Sequence, residues 1–256
     1  MKKTILIYLL TIAASLCIFI HPAVAIPTLQ LDIEGGTYDS TTETIIANDN
    51  PFTLYTFLIP DSKNTITDWY YISVAVVPKV GPVGTNLGSF IFNGDTINVT
   101  AEMVYGVAPL ETIVTSQVWD AWDLPKHDIY ETYFKEFEFQ FDPNNQISPY
   151  DTQDRAIGGG LTPSSGTGMY YVTFTIDTSL LNPDYVIHFD LYNAKLKSGG
   201  DIDITQFAPF SHDAESNKVP EPSTLLLIGG GLVGIGIWFR RKRSWNYMNP
   251  EIDQIK

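Results

Sequence analysis

Several short stretches of the chain alternate hydrophobic with polar residues, or concentrate β-branched and aromatic residues, as β-strands do. These stretches are LQLDI (29–33), FTLYTFL (52–58), YYISVAVV (70–77), FEFQFD (137–142), YYVTFTI (170–176) and VIHFDLY (186–192). Between them lie clusters of residues that favour turns, such as Gly35-Gly36 and Asn93-Gly94-Asp95. The pattern predicts an all-β domain with the architecture of a β-sandwich or jelly roll.

The pattern changes abruptly after Lys218. Residues 224–239 are 16 positions without a charge, somewhat fewer than the about 20 that cross a bilayer. With Ser223 included and the flanking arginines reaching the interface, the run predicts a single transmembrane helix at about 223–239. The cluster Arg240, Arg241, Lys242 and Arg243 would stop translocation, which leaves 244–256 as a short cytoplasmic tail.

The first 25 residues have the organisation of a secretory signal peptide. Lys2 and Lys3 precede an apolar helical run, and Ala23 and Ala25 place small residues before the expected cleavage site. Signal peptidase and the export machinery would therefore process the chain and leave residues 26–218 outside the inner membrane. The single cysteine, Cys17, leaves with the signal, which excludes thiolate zinc sites and cysteine nucleophiles.

The exported part is strongly acidic. Residues 26–218 contain 26 Asp and Glu against 8 Lys and Arg, a balance of −18. Such a surface repels nucleic acid and anionic lipid, and it suits cations or neutral polymers such as extracellular polysaccharide. Binding to DNA or RNA is excluded as a function.

The C-terminal segment combines three features in a fixed order. Pro220, Glu221 and Pro222 precede the apolar span, and the basic cluster follows it. This arrangement, at residues 219–243, resembles the PEP-CTERM sorting module of exported bacterial proteins. The resemblance implies recognition by an exosortase, a membrane-embedded cysteine transpeptidase that cleaves near the Pro-Glu-Pro. The product would be released or transferred to the cell surface, often in bacteria that make extracellular polysaccharide.

The exported domain has a resemblance of its own. The stretches LQLDIEGGTYD, YYISVAVVPKVGP and FAPFSHDAES are similar to the choice-of-anchor N family, over residues 28 to about 216. That resemblance implies an outer domain shared among proteins with different surface-attachment ends. It implies no known activity.

Ionisable residues on the predicted strands are candidates for chemistry. His188 and Asp190 share the face opposite Ile187, Phe189 and Leu191, where they could bind a metal or form an acid–base pair. The simpler interpretation is the solvated face of a strand.

Two other pairs of ionisable residues are further candidates. His212 and Asp213 fall in an expected loop. Glu136 and Glu138 would lie about 7 Å apart on one strand face, which admits glycoside hydrolysis but favours a solvated face.

Two acidic clusters are candidates for ligand or ion binding. Aromatic rings beside carboxylates hold sugars and calcium in lectin-like sites, but they also anchor loops to a core. Alternating carboxylates in a turn offer oxygen ligands to one structural calcium ion. The residues are Trp119, Asp120, Trp122 and Asp123 for the first cluster, and Asp201 and Asp203 for the second.

Together these features predict an exported, non-catalytic protein that is membrane-anchored or sorted to the cell surface. Its partners would be the exosortase, the lipid bilayer and, for the outer domain, matrix polysaccharide or another protein. No cofactor is expected apart from the possible calcium ion. One alternative is a secreted carbohydrate-active enzyme with two carboxylates converging in a groove. Another is a single-pass membrane protein that is never processed.

Overall fold

The computed structural model describes residues 26–82, 86–108, 131–155, 165–193, 195, 207–209 and 212–217, with five further positions between 232 and 238. Up to residue 217 the described chain forms strands in two sheets and two helical segments of four residues each, α1 (Val99–Glu102) and α2 (Thr152–Arg155). The five positions between 232 and 238 are helical as well. The prediction of an all-β domain is confirmed.

The first sheet is antiparallel throughout. Its strand order is β1 (Leu29–Ile33), β4 (Phe52–Leu58), β11 (Met169–Asp177), β6 (Ser89–Phe92) and β7 (Asp95–Asn98), with β10 (Gln146–Ile147) paired to β11. The hairpin between β6 and β7 turns at Asn93 and Gly94, whose φ angles are 52° and 90°. Positive φ at both positions is what a two-residue hairpin turn of type I′ requires, and Asn-Gly meets that requirement at low cost.

The second sheet has seven strands. Their order is β2 (Thr37–Asp39), β3 (Thr44–Ile46), β13 (Asp213–Glu215), β12 (Val186–Asn193), β5 (Tyr70–Val77), β9 (Glu131–Phe139) and β8 (Val104–Val107). Only the pairing of β3 with β13 is parallel among these described strands. Strands β12 and β5 pair along eight residues each, and they form the middle of the sheet.

The two sheets face each other across a common hydrophobic core. Aromatic rings join them at three points, namely Phe92 with Phe137 (centroids 3.9 Å apart), Phe139 with Phe174 (5.3 Å) and Phe52 with Phe189 (6.1 Å). Each pair takes one ring from each sheet, so the sheets are packed as the layers of a sandwich. Burial of this apolar surface is the main stabilising contribution.

The polar residues of β1 are buried as well, which the alternation in LQLDI does not predict. Gln30 and Asp32 are 0% and 2% exposed because residues 150–152 lie across them. The Gln30 amide donates to the Tyr150 carbonyl (3.1 Å) and accepts from the Thr152 N–H (2.9 Å), while the Tyr150 hydroxyl donates to Asp32 (2.9 Å). These hydrogen bonds satisfy the polar groups that burial removes from water.

Among the residues that the structure describes, no helix is long and apolar enough to cross a membrane. The transmembrane helix predicted at about 223–239 lies largely outside those residues.

Candidate functional site

Four ionisable side chains from two neighbouring strands meet on the outer face of the second sheet. Strands β12 and β13 are antiparallel, with His188 opposite Glu215. Because side chains alternate between the two faces of a strand, His188 and Asp190 project from one face of β12. Asp213 and Glu215 project from the same face of β13. The residue between the members of each pair, Phe189 on β12 and Ala214 on β13, belongs to the hydrophobic core.

The imidazole of His188 lies at the centre of this cluster. Its Nε2 is 3.6 Å from Asp190 Oδ1 and 3.7 Å from Asp213 Oδ2, and its Nδ1 is 3.7 Å from Glu215 Oε2. The side chains of His188, Asp190 and Asp213 are 4%, 10% and 1% exposed. One ligand atom from each of these three residues lies within 4.8 Å of the others, and imidazole and carboxylate are common ligands of divalent metal ions.

The expectation that His188 and Asp190 form a solvated face is wrong. Both are buried because β12 is an interior strand, held between β13 and β5, and its outer face is covered. On that face the ring of Tyr192 stacks against Phe207 and Tyr71, with centroids 5.0 and 5.6 Å apart. The alternation along β12 therefore distinguishes two buried faces, one apolar and one charged.

The electrostatics of the cluster follow from its composition. Burial acts to lower the pKa of His188, but Asp190, with Asp213 and Glu215, raises it well above its ordinary value. Burial raises the pKa of Asp213 well above its ordinary value; Asp190 adds to this effect and His188 opposes it. One imidazole faces three carboxylates with little access to water, so the cluster favours the uptake of positive charge.

His212 forms a second buried pair, with Asp151. Its Nε2 is 2.9 Å from Asp151 Oδ1, which also accepts the Gln153 N–H at 2.9 Å. Burial lowers the pKa of His212, and Asp151 opposes that effect. The pair joins the chain before β13 to the segment that covers β1. The prediction that His212 and Asp213 lie in a loop is wrong for Asp213, which is the first residue of β13.

Glu136 and Glu138 lie on one face of β9, as the alternation of FEFQFD predicts. The Tyr192 hydroxyl donates to Glu136, and the Tyr71 hydroxyl donates to Glu138 at 2.8 Å. Burial, together with Glu138, raises the pKa of Tyr71 to about 12. Both carboxylates are thus engaged by tyrosines of the same sheet.

The other candidates lie outside the described residues. These are the signal-cleavage residues Ala23 and Ala25, the aromatic–acidic cluster Trp119, Asp120, Trp122 and Asp123, the calcium candidates Asp201 and Asp203, the motif Pro220, Glu221 and Pro222, and the basic cluster Arg240, Arg241, Lys242 and Arg243. Each remains a prediction from the sequence as far as its geometry is concerned.

Comparison with known protein families gives a match at the C-terminal segment. The model of the PEP-CTERM protein-sorting motif matches residues 218–243. The match supports an exported protein that an exosortase recognises and sorts, and it confirms the assignment made from the Pro-Glu-Pro, apolar and basic features. The resemblance of residues 28 to about 216 to the choice-of-anchor N family lies outside the matched segment and stays a prediction. No curated protein and no solved structure matches the chain.

Proposed function

We propose that this protein is exported, held at the inner membrane by its C-terminal span, and cleaved near Pro220–Pro222 by an exosortase. The sorted product is a non-catalytic β-sandwich protein of the cell surface or extracellular matrix. The observation that carries the proposal is the sorting motif at residues 218–243. The two prolines favour an extended backbone, which is the form that proteases bind. The span and basic cluster hold the substrate at the membrane in one orientation.

The mass of the protein from its native cells tests this proposal. Membrane, surface and medium fractions are analysed separately by intact-mass spectrometry. We expect a product that begins at Ile26 and ends near Pro222, recovered from the surface or medium. An intact C-terminus at Lys256, found only in the membrane fraction, would show a permanent single-pass protein instead.

Substitutions in the motif make the test specific. Pro220→Ala combined with Pro222→Ala should keep the full-length chain in the membrane. Glu221→Gln removes the charge of the motif but leaves both prolines in place, so it tests the charge by itself. Asn217→Ala, directly before the matched segment, is the control and should be processed normally. If the double proline variant is cleaved at the wild-type rate and position, the Pro-Glu-Pro is not the element that the enzyme recognises.

For the outer domain we propose binding to neutral matrix polysaccharide. The support is the excess of 26 acidic over 8 basic residues in 26–218, which disfavours anionic partners. The engagement of Glu136 and Glu138 by tyrosine hydroxyls supports a non-catalytic role for that pair. Sedimentation with extracellular polysaccharide from the same cells, at low and high salt, measures the interaction. Binding that persists in high salt is expected, whereas release of shortened sugar chains would indicate a glycosidase.

A further inference from the structure

The distances within the His188 cluster suit a bound cation better than direct hydrogen bonds. Hydrogen bonds between nitrogen and oxygen are ordinarily no longer than about 3.2 Å. His188 Nε2 instead lies 3.6 Å from Asp190 Oδ1 and 3.7 Å from Asp213 Oδ2. Two ligand atoms that are each about 2.1 Å from one metal ion, in tetrahedral arrangement, are about 3.4 Å apart. The three groups are therefore spaced nearly as ligands of one ion.

The charge and hydrogen bonding of Asp213 point the same way. Its side chain is 1% exposed, and its Oδ2 accepts no hydrogen bond from any residue that the structure describes. A buried carboxylate oxygen without a donor is costly unless a cation compensates it. That oxygen is directed into the cluster, where it lies 3.7 Å from His188 Nε2.

Glu215 occupies the position of a supporting residue. Its Oε2 lies 3.7 Å from His188 Nδ1, on the opposite side of the ring from Asp190 and Asp213. A histidine that binds a metal through one nitrogen commonly donates its other N–H to a carboxylate, which fixes the tautomer and the ring orientation. Glu215 is placed to act in this way on the ring nitrogen that faces away from the ion.

We propose that His188, Asp190 and Asp213 bind one divalent transition-metal ion of the zinc class, with Glu215 as a positioning residue. The imidazole ligand selects such an ion over Ca²⁺, which prefers an all-oxygen shell. The burial of all three ligands indicates a structural role. The ion would join β13, a strand of only three residues, to the central strand β12. In a mature chain without cysteine, it supplies a cross-link that a disulfide cannot.

The test uses the exported protein purified from cells, with metal content measured as isolated and again after chelation and reloading with Zn²⁺. We expect about one equivalent of zinc per chain and a melting temperature several degrees lower after chelation, because a ligand of the native state alone stabilises that state. Ca²⁺ at the same concentration should not restore the loss. Absence of bound metal together with an unchanged melting temperature in Zn²⁺ overturns the proposal, and restoration by Ca²⁺ alone overturns the choice of ion.

Variants then assign the ligands. His188→Gln and Asp213→Asn should each lose the bound zinc, whereas Glu215→Gln should retain it with about 10- to 100-fold weaker affinity. Glu138→Gln, on the outer face of the same sheet, is the matched control and should bind zinc as the wild type does. Zinc binding at wild-type affinity by both His188→Gln and Asp213→Asn contradicts the assignment.

A measurement on the wild type covers the case in which those variants fail to fold. Long-range ¹H–¹⁵N spectra of the histidine side chains are recorded before and after zinc is added. Coordination should shift the Nε2 resonance of His188 and leave that of His212 in place. A shift at another histidine without one at His188, or no shift at any histidine, rejects the site.

Discussion

The contact between Phe92 and Phe137 offers a direct test of how the two sheets pack. Phe92 lies on β6 of the first sheet and is 4% exposed, and its ring stacks on that of Phe137 in β9 at 3.9 Å. Truncating a buried phenylalanine to alanine costs about 3–5 kcal/mol, from lost apolar burial and from the cavity that remains. Since domains are stable by about 5–15 kcal/mol, Phe92→Ala should remove a large share of the total.

Thermal unfolding of the exported protein measures this loss. For a domain of about 150–250 residues, 1 kcal/mol corresponds to about 2–4 °C, so we expect the melting temperature to fall by about 6–20 °C. Leu180→Ala is the control, because Leu180 is 56% exposed and its truncation should cost no more than about 0.5 kcal/mol. Equal melting temperatures for Phe92→Ala and Leu180→Ala would refute the packing of the sheets at this point.

A double-mutant cycle separates the ring contact from general burial. Phe92→Ala, Phe137→Ala and the double variant are compared with the wild type by urea denaturation. The coupling energy should be about 0.5–1.5 kcal/mol, as for other aromatic pairs. A coupling near zero would mean that the two rings stabilise the fold independently of each other.

Two further substitutions and one pH dependence test local features of the fold. Gly88→Ala should destabilise by about 1–3 kcal/mol, since Gly88 has φ of 90° and a Cβ there would lie 2.4 Å from the Leu180 carbonyl oxygen. Asn98→Ala should cost about 1 kcal/mol, because the Asn98 side chain accepts the Ala101 N–H (3.0 Å) at the start of α1. The backbone N–H of Ser179 holds the pKa of Asp177 below its ordinary value of 3.8, so its contribution to stability is present above that value and is lost as the pH falls through the lowered pKa.

Urea denaturation measures each of these effects, and the two substitutions have matched variants. Gly94→Ala has the same φ of 90° with open space around the added carbon, so it should cost less than Gly88→Ala; the reverse order would contradict the close contact. Thr100→Ala leaves the Asn98–Ala101 hydrogen bond in place and should be milder than Asn98→Ala. Asp177→Asn should reduce the loss of stability as the pH falls below 3.8; an unchanged pH dependence would refute the lowered pKa of Asp177.

The longer strands could be predicted from the sequence because each carries enough residues to show its period. The stretch YYISVAVV was predicted as a strand over 70–77, and β5 has those bounds. The three-residue strands β3 and β13 are too short to show a period of their own. Their existence depends on pairing with each other and with β12, which is a property of the folded chain.

The candidate metal cluster could be predicted only in part, for a related reason. The spacing of two places His188 and Asp190 on one face of a strand, and the sequence shows as much. It does not show that β12 is an interior strand whose polar face is covered. Nor does it show that β13, after more than 20 intervening residues, brings Asp213 next to His188. Alternation of apolar and polar residues reports two faces, but the tertiary arrangement decides which of them meets water.

The position of β13 connects the proposed metal site with sorting. The strand ends at Glu215, and the matched sorting motif begins at residue 218. Four residues separate Glu215 from Pro220, which makes five steps along the chain, and a fully extended chain covers at most about 3.6 Å per step, or about 18 Å in all. While β13 stays in its sheet, the folded domain therefore lies within that distance of Pro220 in the sorting motif. Release of β13 would lengthen the tether by the whole strand. A metal ion that fixes β13 to β12 would thus keep the domain close to the sorting motif, so, if the proposed exosortase cleavage takes place, chelation should change its rate as well as the melting temperature.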